Sequence, residues 1–451
     1  MFRPVVFPRR VGLMTLYGVM GLLLAGCAVL PAPDGMEARL IEQGADLRAL
    51  DVEGGKGANG AVRRALLMAP EVRLAAAEVG ASADQIRVQR AALFPSLGLG
   101  VGGGFGKAGD GAASLDLDME QLLLDFGRTG REISVADLDM QISYLDFQAR
   151  VDEAIIATLT AWEDEAIYRG TLALREEQLA SMRALEARVA VREREGAASS
   201  ADLLEARKRM LAAEFLVVDA RLRHAEARDR LQRLSGLTRG AHLSRSGQCE
   251  GQIGDNEVLR IARLQEARAV LVAENAENAR LPRLIASPLV RQPLENGGGI
   301  SFGLNLGLRS DLLQGGALSA RANAARNERE AAASNTAHVA REMQIRQGQL
   351  GREISAARAK DGMFAQQIEL IDQTRTIYAD QYFDLGKRDL SDLLDIEEEY
   401  YDRRAERLET RRDAAITALE CTQLGGRLRD AHGLGSFTLH GYPLVDKAAT
   451  S

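Results

Sequence analysis

The sequence predicts a mainly α-helical chain that also carries membrane β-barrel strands, arranged as a strand-strand-long-helix unit present twice. Landmarks recur in the same order at an offset of roughly 190 residues. Short segments alternate apolar and polar residues, the period of a strand with one face buried or in lipid. Long proline-free stretches space their apolar residues by three and four, as helices do. Composition agrees: of 451 residues, 46% are hydrophobic but only 4% aromatic, which suits helices that pack through small and aliphatic side chains. A formal charge of −7 advertises no face for nucleic acid. Three cysteines cannot frame a disulfide-built domain, and five scattered histidines make no metal centre. No Ser/His/Asp or Cys/His spacing marks a nucleophile, so neither enzyme activity nor a cofactor is expected.

The first element is an export signal. Arg3, Arg9 and Arg10 precede an apolar run from Val11 to Ala25, too short for a membrane span of about 20 residues but right for a secretory leader. It ends in Leu24-Ala25-Gly26-Cys27, which resembles the bacterial lipobox. That resemblance makes residues 1–26 a lipoprotein signal peptide and Cys27 the acylated first residue of a 27–60 extension. Ala28 behind it, instead of Asp, points to the outer membrane.

The first repeat is read as 61–240. A helix-prone stretch from Ala61 to Ala92 runs into Pro95 and then into two β-type segments joined by a Gly-rich turn. In Ser114 to Leu122, Leu115, Leu117 and Met119 oppose Asp116, Asp118 and Glu120. From Arg131 to Arg194 there is no proline, and the chain reads as one helix of roughly 95 Å. A break at Gly196 leads to a return helix bearing Leu204, Leu211, Phe215, Val218, Leu222 and Ala225.

A linker, 241–256, leads to the second repeat, 257–424. There Ile300, Phe302, Leu304, Leu306 and Leu308 alternate with Ser301, Gly303, Asn305 and Gly307. A long helix from about Ala317 follows, then a break at Gly386 and a return helix from Leu390. The tail is 425–451, and past Leu439 it is expected to be disordered. Four strands cannot close a barrel, so several copies must contribute to one.

Two motifs are set aside. Gly100 to Ala108 is glycine-rich and includes Lys107, but Val101 and Ala108 break the phosphate-loop spacing. Glu397-Glu398-Glu399 beside Tyr400-Tyr401 reads as a charged helix face next to packing aromatics.

The duplication is carried by three pairs of motifs. Leu93-Phe94-Pro95 aligns with Arg280-Leu281-Pro282, and Leu123-Leu124-Asp125-Phe126-Gly127 with Leu312-Leu313-Gln314-Gly315-Gly316. Gly196 through Asp202-Leu203-Leu204 aligns with Gly386 through Asp392-Leu393-Leu394-Asp395. With the lipobox, these features from about Ala61 to Leu424 resemble the TolC family of outer-membrane channel proteins.

The resemblance implies a homotrimer in which each protomer gives four strands to a twelve-stranded barrel, continued by a helical tunnel across the periplasm. It implies a periplasmic adaptor and an inner-membrane pump or ABC transporter as partners. It also places a gate where the helices turn: Arg388, Asp392 and Asp395 stand at the family spacing from Gly386, and Asp202 occupies the matching place in the first repeat. A link between Arg388 and Asp202 would latch the tip, while Phe383 replaces a Tyr of the family pattern, with Tyr382 beside it. Cys249 and Cys421 leave two readings open, a pair of free, buried thiols or a disulfide; because inter-repeat and C-terminal segments form a belt in the family, the resemblance implies that such a Cys249–Cys421 disulfide would pin it. The implied function is the exit duct of a small-molecule efflux system. The alternatives are the equivalent part of a type I protein secretion system and, from another class, a non-pore periplasmic coiled-coil lipoprotein.

Overall fold

The computed structural model describes residues 34–53, 55–102, 113–243, 256–293, 300–310 and 314–445. Cys27, Cys249 and most of the glycine-rich turn after Gly102 lie outside the described residues. In chain order the elements are α1 Gly35–Ala45, β1 Arg48–Ala49, α2 Gly57–Met68, α3 Pro70–Ala91, β2 Ser96–Gly102, β3 Ser114–Leu124, α4 Arg128–Arg194 and α5 Ser200–Ser235. Then come α6 Glu257–Glu277, β4 Arg283–Pro293, β5 Ser301–Arg309, α7 Ala317–Phe383, α8 Leu390–Leu424, α9 Leu428–Ala431, β6 Phe437–Leu439 and β7 Tyr442–Pro443. The long helices α4 and α7 each have 67 residues, and the return helices α5 and α8 have 36 and 35. Among the described residues no helix is long and apolar enough to cross a membrane.

The chain divides into two compact units. One holds Ala81–Met140, Leu271–Ala325 and the residues up to Arg39; the other holds Leu40–Gly80, Gln141–Val270 and the chain from Arg326 onward.

The first unit is built on an antiparallel sheet in the order β2-β3-β4-β5. Its register stacks apolar side chains in rows: Leu99 opposite Leu117, Leu117 opposite Val290, Val290 opposite Phe302. Leu97, Leu99, Val101, Phe302, Leu304, Leu306 and Leu308 stand exposed, Leu99 at 71% and Phe302 at 69%. The opposite face is small and polar. There Asp116 and Arg291 pair at 2.6 Å, and Gly98 sits so close to Asp118 that a Cβ would come within 2.7 Å of the carboxylate. Period-two alternation thus puts hydrocarbon on one face and charge and glycine on the other.

Each strand pair hands over to its long helix through two consecutive left-handed residues. They are Phe126 (φ 58°) and Gly127 (φ 79°) before α4, and Gly315 (φ 56°) and Gly316 (φ 86°) before α7. Glycine takes that conformation at no steric cost, whereas Phe126 must be held there. Asp125 supplies the hold: its carboxylate accepts from the N–H of Gly127 at 3.1 Å and of Thr129 at 2.6 Å, capping α4.

In the second unit α4 is the organising helix. Tyr144, Phe147, Val151, Ile155 and Leu159, spaced by three and four, are wholly buried. The sequence reading of the tail as disordered past Leu439 is corrected for residues 440–445, while 446–451 lie outside the described residues. β6 pairs in parallel with β1 and antiparallel with β7, and Tyr144 Oη donates to Pro443 O at 2.8 Å. Phe147 meets the Tyr442 ring at 5.9 Å between centroids. The tail lacks periodicity because its strands are two or three residues long, and its order comes from docking on α4.

α5 departs from the simplest reading of its pattern. The face it buries in its own chain is mostly alanine: Ala206, Ala213, Val217, Ala220, Ala227 and Leu231. Its large apolar residues, Leu204, Leu211, Phe215, Val218 and Leu222, point outward, Phe215 at 76% exposure. On α7, Met363, Leu370 and Ile377 are exposed at heptad spacing.

Candidate gate at the helix turns

Two helix breaks define the site, and both turn on a left-handed glycine, Gly196 (φ 73°) and Gly386 (φ 57°). After the first, Ser199 caps α5. Its hydroxyl accepts from Asp202 N at 3.1 Å, while the Asp202 carboxylate accepts from Ser199 N at 2.9 Å, a closed capping box. Beneath the breaks four helices share one apolar core: Met182, Leu185 and Val189 of α4, Ala206 and Ala213 of α5, Tyr382 of α7, and Leu390, Leu393 and Leu394 of α8.

Around that core the four residues singled out by spacing divide into separate groups. Arg388 Nη1 donates to Asp392 at 2.8 Å, its Nε donates to Gln381 at 2.9 Å, and its guanidinium lies 3.8 Å from the centre of the Tyr378 ring. Asp395 pairs instead with Arg209 of α5 at 2.9 Å. Asp202 belongs to the capping box. Within one chain, therefore, Arg388 and Asp202 are occupied separately.

Arg209 is a residue that the spacing missed. It binds Glu205 at 2.9 Å, Asp395, and Glu398, and so ties α5 to α8. Burial pushes the Glu398 carboxyl above its ordinary range, with Arg209 pulling the other way. Glu397, read as part of a charged face, is buried at 4% exposure: Ser181 donates to it, and Arg375 reaches it at 3.2 Å. Adjacent glutamates of one run, Glu397 and Glu398, thus face different surroundings because successive helix residues are about 100° apart.

The end of α7 is clasped by two arginines of α4. The Arg188 guanidinium lies 3.4 Å from the centre of the Phe383 ring, and Arg192 Nη1 donates to the Phe383 carbonyl at 2.7 Å. Phe383 therefore serves as a cation–π platform where a Tyr would offer a hydroxyl. Tyr382 is the buried aromatic: burial and the nearby Asp202 carboxylate push its phenol above the usual range, against Arg192. A sequence signal for this clasp exists only in retrospect, as the four-residue spacing of Arg188 and Arg192.

A second constellation sits halfway along α4. Glu163, Asp164 and Glu165 are all buried, against the usual habit of acids. Glu165 accepts from Gly240 N and Glu163 from Leu243 N, each at 2.6 Å, so the strap after α5 is pinned to α4. His224 and His242 close on the same acids at 3.2 and 3.3 Å. Asp164 takes Arg412 of α8 at 2.6 Å. Cys421 of α8 is in a disulfide. Among the described residues no group of His, Cys, Asp and Glu is arranged to hold a metal ion.

Residues 61–237 match the family described as outer membrane efflux protein. The fold is similar to that of the CmeC outer membrane channel of Campylobacter jejuni, with a TM-score of 0.72 and 14% identity over 87% of this chain and 88% of that one. It is similar to VceC of Vibrio cholerae, TM-score 0.73, with 15% identity over 82% and 96%. The open state of the Neisseria gonorrhoeae MtrE channel gives a TM-score of 0.69 at 16% identity, over 82% and 89%. Among curated proteins, none matches the chain.

Proposed function

We propose that the chain, which matches the outer membrane efflux protein family through residues 61–237, is the passive exit duct of a tripartite small-molecule export system. The observation that carries the reading is the sheet. Four strands with one exposed hydrocarbon face, and with edges β2 and β5 each paired on one side only, are unstable alone in water or lipid. Three copies joined edge to edge make a closed twelve-stranded barrel with lipid outside and glycine and charge inside. The outward stripes of α5 and α7 supply the matching surfaces for a homotrimer along the helices. A periplasmic adaptor and an inner-membrane pump complete the path and provide its energy. Cys27 is the lipid anchor in the outer membrane, and Cys249 is the partner of Cys421.

The gate belongs to the same reading. Between copies, Arg388 of one protomer exchanges Asp392 for Asp202 of the next, while Asp392 and Asp395, three times each, ring the opening with carboxylates that favour cations. Reconstitution in a planar bilayer tests both levels. The protein is expected to give a small cation-selective conductance that rises severalfold in Arg388→Ser. An unchanged conductance in the variant removes the gate but keeps the duct. No conductance from membrane-embedded trimers returns the chain to the coiled-coil alternative. Dye export from cells, set against export of a polypeptide, separates small-molecule efflux from type I secretion.

A further inference from the structure

In the second unit α4, α7 and α8 border a cleft of about 370 Å³, within the range that accommodates a small organic molecule. One side is small and apolar, with Ala173 and Leu174 of α4, Ile368 of α7 and Leu408 of α8. The other is a row of guanidiniums. Arg404, Arg407 and Arg411 follow one another on α8 by three and four residues, so they share one helix face and line the cleft together.

The acids that meet this row are fewer than the arginines. Asp361 of α7 serves two of them: Arg407 Nε donates to its Oδ1 at 2.9 Å, and Arg411 Nε to the same oxygen at 2.6 Å. Arg404 Nη1 donates to Glu177 of α4 at 3.1 Å. Three cations that never deprotonate thus face two carboxylates, an excess of one positive charge. Donors are in excess as well. Among the described residues Arg407 donates through Nε alone and Arg404 through Nη1 alone. No nitrogen of the three arginines is both buried and unbonded, so the unused donors are open to an incoming molecule. The side chains keep 33%, 28% and 31% of their surface exposed, in chain order. Arg411 also grips both oxygens of Asp361, its Nη2 reaching Oδ2 at 3.4 Å. Asp361 therefore stays paired when Arg407 turns its donors elsewhere.

We propose that this cleft binds a small organic monoanion, a carboxylate or sulfonate carried on an apolar body. The paired Nη groups of Arg407 take the two anionic oxygens in a bidentate fork, and Ala173, Ile368 and Leu408 take the body. One charge is what the excess matches; a dianion would leave a negative charge over. The site does not depend on the duct reading.

Naphthalene-2-carboxylate, titrated into the full-length protein in detergent and followed by calorimetry, is the probe. The expected result is one saturable site per chain, with naphthalene-2-carboxamide, of the same shape but uncharged, binding at least about tenfold more weakly. Arg407→Gln should also lose about tenfold or more in affinity for the carboxylate, while Arg411 still holds Asp361. Ala173→Trp fills the cleft from an exposed position, leaves every charge in place, and should abolish the site. Thermal melts of both variants check folding, and if Arg407→Gln fails to fold, Ala173→Trp and the carboxamide decide. Equal affinity for the carboxamide overturns the proposal, since it would mark a merely apolar cleft or uptake by detergent. Equal affinity in either folded variant overturns it too, as does the absence of saturable binding.

Discussion

At Gly240 a single hydrogen decides whether the strap can lie against α4. A Cβ there would stand 1.9 Å from Trp162 O, a backbone atom that cannot step aside. Gly240→Ala should therefore detach the segment that Glu163 and Glu165 hold. The expected cost is about 1–3 kcal/mol of stability, seen as a lowered melting temperature with the helical circular dichroism retained. Asp152 of α4, buried beside Arg429 of α9 and Glu257 of α6, makes a second prediction. Burial lifts its folded pKa to about 7, above the ordinary value of 3.8. Between those values the native state binds more protons than the unfolded one, so its contribution falls as pH rises through about 7. Asp152→Asn should raise the melting temperature more at pH 8 than at pH 5, and a pH-independent difference would contradict the assignment. Such residues were hidden from sequence reading for one reason: their partners are remote. Gly240 and Glu165 are 75 residues apart, and Arg429 and Glu257 are 172 apart. Asp202, Arg388, Asp392 and Asp395 were visible because a glycine break gives a local origin from which spacing can be counted. Their pairings were not, since spacing does not say which acid an arginine will choose.

Among the elements, legibility follows local signals. β3 and β5 were readable from alternation, and α4, α5, α7 and α8 from proline-free stretches ended by Gly196 and Gly386. The three-stranded sheet of β1, β6 and β7 was not, because strands of two or three residues carry no period. α5 shows how one helix satisfies two partners. Its alanines let α4 and α8 approach closely, while Leu211, Phe215 and Leu222 remain for a neighbour. Each such side chain, when buried, contributes about 1.5–3 kcal/mol. Phe215→Glu is accordingly expected to leave the helical spectrum intact and convert the proposed trimer to monomer, measured by sedimentation in detergent. A variant that stays trimeric would show that the stripe of α5 is not a contact between copies.

Taken as a whole, the molecule leaves surfaces open that the proposed trimer would close. Its sheet exposes hydrocarbon and open edges, and its helices expose heptad stripes, the surfaces from which the proposed assembly would be built. The order in which that assembly can arise is set by one pairing. β3 meets β4, with Ser114 opposite Pro293, so the central ladder joins strands that are separated in sequence by the three helices α4, α5 and α6. Contacts so distant in sequence form late, since a long loop must close before they give any return. The ribosome will have finished the first strand pair, and the helix pair after it, well before β4 exists to complete the ladder. On the proposed barrel reading, insertion into lipid cannot accompany synthesis or export but must wait for the full chain. A chain truncated after Glu277 should accumulate as a water-exposed helical species and never acquire the heat-resistant migration of an embedded barrel. On that reading, the duplication that makes the wall regular also makes the membrane step the last event in the protein's biogenesis.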